Sequence, residues 1–469
     1  MLAGLFAHAT SALDARTGWQ TLHERLVAVQ SSQAVPAMGL VIMDRGQPAF
    51  VAATGSGVNT LTPFRWGSIT KTVTALTMLQ LLAEQGVPLT DSVTSHLPEP
   101  LPEPLYENRW EAEQPMRLVH LLELTAGLPD LSAAEFKDNT ALPLHAALAR
   151  SAEQRQLLWP PGLQHSYSNV PPGIAAAAIE GIAGVSYEDA VRQFVLAPLE
   201  MRGAGFEETQ ALPGGFRIDG KTEIPYWNMT FRAFGGFNAS LDAMARLLET
   251  LLNEGRLDNR QVLDPGAVRR LYRAESSLGA QAGLEVTYGA GLYGWVNKGH
   301  LFFGHGGDAD GYRSRLGLLP SAGRGYLLVI NSDNPAALRQ LQQHVEAALT
   351  ADLQEPAVPA PVAVSAQALS ALTGTYYPAS ARFQISRWQS GARASADIGI
   401  ERGELTFVKG NRRQRLIPMG QNRFRRPGDP VVSVVFVSHE GRLYLQGELG
   451  NFVRTDSDGC PGFIPRCDS

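Results

Sequence analysis

The segment FRWGSITKTVTALTMLQLL, residues 64–82, sets a serine, Ser68, three positions before a lysine, Lys71, at the head of a helical pattern. Residues three and four apart share one face of a helix, so hydroxyl and amine are neighbours there. A serine at a helix start is ordinarily an N-cap. Lys71 is the unusual member, because a cation in the first turn opposes the macrodipole. A hydroxyl becomes a nucleophile when a neighbouring base takes its proton, and an amine held against apolar walls favours its neutral form. The chain has few lysines (Lys71, Lys137, Lys221, Lys298 and Lys409), which makes one on this turn more informative. Alone, the pair fits a capped core helix as well as a nucleophile beside its base.

Two further clusters carry suitable chemistry. Tyr167 and Asn169 lie two apart in WPPGLQHSYSNVPPG, a Pro/Gly-bounded loop that precedes a helical run. Such a loop can present both side chains to a cleft. A phenol can shuttle a proton, and an amide can bridge a lysine and a substrate. A plain helix-start turn is the competing reading. In FFGHGGDADGYRSR an apolar strand ends in His305-Gly306-Gly307, and paired glycines let backbone approach a ligand closely.

The elements that must position these residues follow from periodicity. Ile69, Val73, Leu76, Leu79 and Leu82 predict an apolar stripe on the helix after Ser68. MGLVIMDRG and PAFVAATG predict a strand pair near the N-terminus; GLYGWVNKG, HLFFGHGG, YRSRLGLLP and GYLLVINSD predict strands near residue 300. Helical runs lie between, and QLQQHVEAALT closes the region as a helix. Strands at both ends of a helical middle imply an α/β domain whose one sheet uses both chain ends. LQEPAVPAPVAVSAQ reads as a semi-rigid linker. Beyond it, GTYYPAS, ARFQISRW, ELTFVKG, PVVSVVFVSH, RLYLQGEL and NFVRTD predict a small antiparallel barrel or sandwich. The expected division is 15–352, a linker at 353–367, and an all-β domain at 368–469.

Composition narrows the function classes. The 469 residues exceed what one core usually supports. With 44% hydrophobic and 18% charged residues the chain reads as globular. A net charge of −5 argues against a nucleic-acid partner, and no apolar run approaches the ~18 residues of a membrane span. Residues 367–469 carry 14 basic and 9 acidic residues against 26 and 36 in the remainder, an asymmetry that a solvated barrel surface explains. HATSA near the N-terminus has the texture of a cleavage-site tail, although no basic residue precedes its short apolar stretch. Cys460 and Cys467, in CPGFIPRC, fit either a small disulfide loop or two free thiols, and their spacing is no zinc signature.

Together and in this order, SITK, YSN and HGG resemble the three active-site motifs of the class C β-lactamase-like, penicillin-binding-protein-related serine hydrolases. That group includes D-aminopeptidases, DD-carboxypeptidases and esterases. HLLELTAGLPD, WPPG, EGIAGVSYEDAVRQFVLAPLEM, FGGFNASLDAMARLL and the Gly311-Tyr312 turn extend the resemblance over roughly residues 15 to 350. It implies an antiparallel sheet flanked by helices with a helical subdomain, the site at their junction, and the C-terminal all-β domain as an appendage. It implies that Ser68 forms an acyl-enzyme with Lys71 and Tyr167 handling its proton. Asn169 would orient Lys71 and substrate, His305 would take the place of the lysine of a K-T-G motif, and the peptide N–H groups of Ser68 and Asp308, beside Gly307, would form the oxyanion hole. No metal or organic cofactor is implied. The substrate would be a small molecule or short peptide, peptidoglycan-derived or an ester, and the setting periplasmic or secreted; the oligomeric state is left open.

Two departures bear on the substrate. Gly306 stands where β-lactamases carry Thr or Ser, and His305 lacks a permanent charge at neutral pH. Both favour a peptidase or esterase over a true β-lactamase or a silent penicillin-binding-like protein, the alternatives. Arg313 is the candidate for the missing carboxylate contact, and Asp308 would oppose anionic charge if its side chain pointed inward. SDN at 332–334 and ETLLN at 249–253 copy class A signatures, but a strand-end turn and the outer side of an amphipathic helix explain them.

Overall fold

Residues 37–55 and 293–330 meet in one sheet despite the long stretch of chain between them. The computed structural model describes residues 18–98, 104–140, 142–229, 231–380 and 395–454. The predicted strand at ARFQISRW, Cys460 and Cys467 lie outside the described residues. The sheet contains β1 (Ala37–Asp44), β2 (Gln47–Gly55), β3 (Tyr293–Asn297), β4 (His300–Ala309), β5 (Tyr312–Leu319) and β6 (Arg324–Ile330), ordered β2-β1-β6-β5-β4-β3 and antiparallel throughout. β1 pairs with β6 from Met38 opposite Ile330 to Met43 opposite Gly325, so the two chain ends share the sheet's centre.

Both faces of that centre are covered, which is why β1 and β6 read as continuous apolar runs. Met38, Leu40 and Ile42 pack with Trp19, Leu22 and Leu26 of α1 (18–32) and with Leu338, Leu341 and Val345 of α5 (Pro335–Thr350). Val41, Met43, Leu327 and Val329 face the other layer, which holds α2 (Thr70–Gln85), α3 (Val170–Ala183) and α4 (Leu241–Leu252). Alternation along a strand divides the two sets.

Two expectations are corrected here. α2 carries no one-sided stripe: nearly every residue from Thr70 to Leu82 is buried, because α3 and the helical segments 187–196, 232–234 and 265–270 pack around it. Its polar side is satisfied internally, as where Thr72 Oγ1 donates to Gly291 O at 2.8 Å and Thr74 Oγ1 to Ala233 O at 2.8 Å. Glu249 is not on the outer side of α4 but buried, beside Gln47 at the start of β2, and burial raises its carboxyl pKa. Asn334 does end the strand as a turn residue, and its side chain caps α5 by accepting from Ala337 N.

After an irregular stretch and a short helical turn, Ala366–Ser370, the described residues close an eight-stranded antiparallel barrel: β7 (Gly374–Pro378), β8 (Ala396–Glu401), β9 (Glu404–Lys409), β10 (Arg412–Gly420), β11 (Arg423–Arg425), β12 (Val434–His439), β13 (Arg442–Gly447) and β14 (Phe452–Arg454). β14 pairs back with β7, which leaves no open edge among the described residues. The interior is filled by Tyr376, Phe407, Phe424, Phe436, Phe452 and aliphatic neighbours, so this is a packed core and not a ligand-holding cup.

Candidate active site

Ser68 does not cap α2. It sits in a 3-10 turn, Gly67–Ile69, immediately before the helix, and no side chain caps that turn. Thr70 Oγ1 instead reaches back to Gly67 O at 2.6 Å. Gly67 has φ +55, and a Cβ there would lie 2.7 Å from the peptide nitrogen of Asp308. Across the gap, a Cβ on Gly307 would fall 1.9 Å from the Trp66 carbonyl oxygen, which already accepts from Ser314 Oγ at 2.8 Å. Glycines at both positions let β4 lie directly on the Ser68 turn. The peptide N–H of Asp308 is thereby brought beside the Ser68 turn, an arrangement that can receive a developing oxyanion.

Lys71 is 3% exposed. Its Nζ lies 3.0 Å from Ser68 Oγ, 2.7 Å from Asn169 Oδ1 and 2.9 Å from Phe234 O. The two carbonyl oxygens can only accept, so they hold two N–H groups. The third position faces Ser68, and it can donate to the hydroxyl as ammonium or accept its proton as a free amine without rearrangement. Asn169 is itself fixed: its peptide N–H donates to Asp130 Oδ1 at 2.8 Å and its amide nitrogen to Asp130 Oδ2 at 3.3 Å. That leaves Oδ1 for Lys71. Pro171 and Pro172 in the first turn of α3 end the loop and hold Asn169 at the helix start. The Tyr167 ring lies over Lys71, centroid 4.9 Å from Nζ, and 6.1 Å from the His305 ring.

Ser68, Lys71, Tyr167, Asn169, Gly307 and the Asp308 backbone therefore converge. Two side chains do otherwise. Residues 305, 307 and 309 of β4 face the site, and Asp308, pointing oppositely, is 65% exposed. Arg313 is opposite Asp308 in the register and shares that outer face. There its Nη1 donates to Asp308 Oδ1 at 2.8 Å and its Nε to Asp333 Oδ1 at 2.9 Å. In this structure Arg313 is thus paired with Asp308 and Asp333 on the strand face opposite His305 and Gly307. The same alternation removes the concern about an inward Asp308 charge.

His305 faces the site, and in this structure both of its ring nitrogens are engaged within the protein. It is 2% exposed; Nδ1 donates to Gly306 O at 2.6 Å, and Nε2 accepts from the Tyr288 hydroxyl at 3.0 Å. Burial, then the nearby Lys71 charge, push its pKa down to about 3, so the ring is neutral at physiological pH. Tyr288 itself is forced well above the ordinary tyrosine range by burial. Its ring stacks on His165 at 5.1 Å, and Tyr293 adds a further ring 5.4 Å from His305. Sequence reasoning missed Asp130, Tyr288 and the Phe234 carbonyl. Asp130 lies within HLLELTAGLPD, but no spacing rule ties it to Asn169, and a peptide carbonyl leaves no mark on composition.

A six-stranded antiparallel sheet flanked by helices, a hydroxyl–amine pair at a buried helix start and a barrel behind it define the β-lactamase-like and penicillin-binding-protein-like fold class. The chain belongs to the beta-lactamase family, whose model matches residues 17–351. Among curated relatives, a beta-lactamase of Escherichia coli is 25% identical over 242 residues, covering 49% of this chain and 60% of that protein. Penicillin-binding protein 4 of Amycolatopsis lactamdurans is 24% identical over 331 residues, covering 65% and 82%. The match to the beta-lactamase of Yersinia enterocolitica covers 45% of that protein, so the chain spans about half to three fifths of these two beta-lactamases. An octameric penicillin-binding protein homologue from Pyrococcus abyssi shares the fold at TM-score 0.57 and 19% identity, covering 93% of this chain and 99% of its own. SurE, solved with D-Leu, does so at 0.59 and 19%, covering 94% and 100%.

Proposed function

We propose that this protein is a serine hydrolase that cleaves amide or ester bonds of small molecules or short peptides through an acyl-Ser68 intermediate. The observation that carries the reading is the buried Lys71 amine, 3.0 Å from Ser68 Oγ and held on its other sides by two acceptors. Ser68 Oγ attacks the carbonyl carbon while its proton passes to the Lys71 and Tyr167 pair. The Ser68 and Asp308 peptide N–H groups receive the oxyanion. Collapse expels the amine or alkoxide, which takes the proton, and water then attacks the ester by the same route.

The third motif favours the peptidase and esterase branch over a true β-lactamase. His305 is neutral with both ring nitrogens engaged, and Arg313 is turned away, so neither offers a positive charge to a substrate carboxylate. A relative solved with D-Leu makes D-aminoacyl compounds a natural part of the screen. The two-domain division at 353–367 and an exported location belong to the same reading. The first is supported by the separate apolar interiors of sheet layers and barrel, the second by family kinship.

The test is a chromogenic panel of p-nitrophenyl esters, D- and L-aminoacyl anilides and a cephalosporin, alongside covalent labelling by a fluorophosphonate. Labelling and turnover should both vanish in Ser68→Ala. Cephalosporin turnover exceeding ester and anilide turnover would favour the β-lactamase reading, and a wild-type protein that neither labels nor turns over would favour a silent binding protein.

A further inference from the structure

The barrel does more than follow the hydrolase body, because it holds the two loops that carry the rings of the site. One loop is residues 158–166, which runs directly into Tyr167. The other is residues 276–287, which runs directly into Tyr288. Gln446, on β13 and 2% exposed, lies between them. Its amide Nε2 donates to Leu163 O at 2.9 Å, and its Oε1 accepts from the peptide N–H of Gly279 at 2.7 Å. A Cβ on residue 279 would sit 2.7 Å from that oxygen, so glycine is what allows the approach.

Further clasps lie on either side of this one. Asn451 Nδ2 donates to His165 O at 2.6 Å, two residues before Tyr167. Val432 O accepts from Glu285 N at 2.9 Å and Val432 N donates to Glu285 Oε2 at 2.7 Å, three residues before Tyr288. Trp159 and Leu163 pack on Tyr444 and Val453 of the barrel, and Leu284 packs on Val432 and Val435. The loops then meet at the site, where the His165 ring stacks on Tyr288 at an interplanar angle of 15° and Tyr288 donates to His305.

We propose that Gln446 is a positioning residue: its buried amide sets the spacing of the two loops, and through them the placement of Tyr167 over Lys71 and of Tyr288 on His305. The barrel is in this sense part of the active-site scaffold. A primary amide suits the task because one head supplies a donor to one loop and an acceptor to the other. Gln446→Glu keeps the acceptor for Gly279 but puts a second oxygen against Leu163 O, and Gln446→Leu keeps the bulk and loses both bonds. The proposal rests on the reading of Tyr167 as part of the reacting set, and its test includes a measurement that needs no turnover.

The experiment compares full-length wild type, Gln446→Leu, Gln446→Glu, Asn451→Ala and the barrel-surface control Arg413→Ala, whose side chain pairs with Glu401 in solvent. Backbone hydrogen exchange should rise in segments 158–170 and 276–290 for the Gln446 variants and stay at wild-type values across β1 and β6. With the best substrate of the panel, kcat should fall about tenfold with a smaller change in KM, the scale of a slightly misplaced catalytic group. The acidic limb of the kcat profile should shift as well. Asn451→Ala should loosen segment 158–170 alone, and it keeps the test available if Gln446 variants fold poorly. Unchanged loop exchange in the Gln446 variants would overturn the proposal, as would exchange rising equally in β1 and β6. Failure of wild type to turn over any panel member would sink the hydrolase reading, while the exchange result would still decide the clamp.

Discussion

The side chains around Lys71 and those inside the barrel are both buried, yet they differ in kind. The barrel encloses Phe407, Phe424, Phe436 and Phe452 with aliphatic neighbours, and the hydroxyl of Tyr376 escapes to Leu372 O at 2.7 Å. The site encloses an amine, an amide, a carboxylate and an imidazole in Lys71, Asn169, Asp130 and His305, all under 5% exposed. Burying such groups costs several kcal/mol each unless bonds replace the lost water, and here every one has a named partner. The difference teaches where substitutions should act: through packing in the barrel, through chemistry and protonation at the site.

The largest expected effect tests the packing side. Phe407→Ala, at a fully buried position against Phe452, should lower unfolding free energy by about 3–5 kcal/mol in a denaturant titration. A loss under about 1 kcal/mol would mean that the barrel interior is loosely filled. Next, Lys71→Ala and Tyr167→Phe should each reduce kcat at least about a hundredfold, equivalent to about 2.7 kcal/mol of barrier. Near-normal turnover in either would remove that residue from the proton path.

A third effect belongs to the polar interior. Burial pushes His305 down to about 3, and His165 and His120 to about 4. Each folded-state value lies below the unfolded one near 6.5, so the unfolded chain binds more protons in this window. Stability is complete above about pH 6.5 and falls as pH drops from there toward about 4, by about 1.4 kcal/mol per pH unit for each histidine. The urea midpoint should therefore be lower at pH 5 than at pH 7.5, and an identical midpoint would show that these rings charge within the fold. The smallest effect is at Arg313. Because its partners are Asp308 and Asp333 on the outer face, Arg313→Ala should change KM for carboxylate-bearing and neutral esters alike by less than about twofold. A selective rise for the carboxylate-bearing ester would restore Arg313 to the binding cleft.

Legibility followed distance along the chain. Ser68 and Lys71 were readable because a helical turn brings residues three apart together whatever surrounds them. The core strands were readable from their apolar runs, and the closing barrel strands from alternation. Three barrel strands, β8 (ADIGIE), β10 (RRQRLIPMG) and the short β11 (RFR), escaped because charged residues interrupt or mask the apolar pattern. The pairing of Arg313 with Asp308 and Asp333 was not legible, because one residue of register turns a side chain to the other face of a sheet. Nor was the engagement of the His305 ring by Tyr288, seventeen positions earlier in the chain. No local pattern encodes that pairing.

What the amino-acid order determined by itself was local: a hydroxyl beside an amine, a phenol and an amide on one Pro-bounded turn, glycines where two backbones must touch, and alternating runs able to form strands. What tertiary structure alone decided was which of these groups face one another, which proton position of Lys71 is left for Ser68, and which imidazole nitrogen is already taken. The reason is physical. Short-range torsions and helical spacing act within a few residues, whereas burial, hydrogen-bond satisfaction and sheet register depend on partners hundreds of positions away.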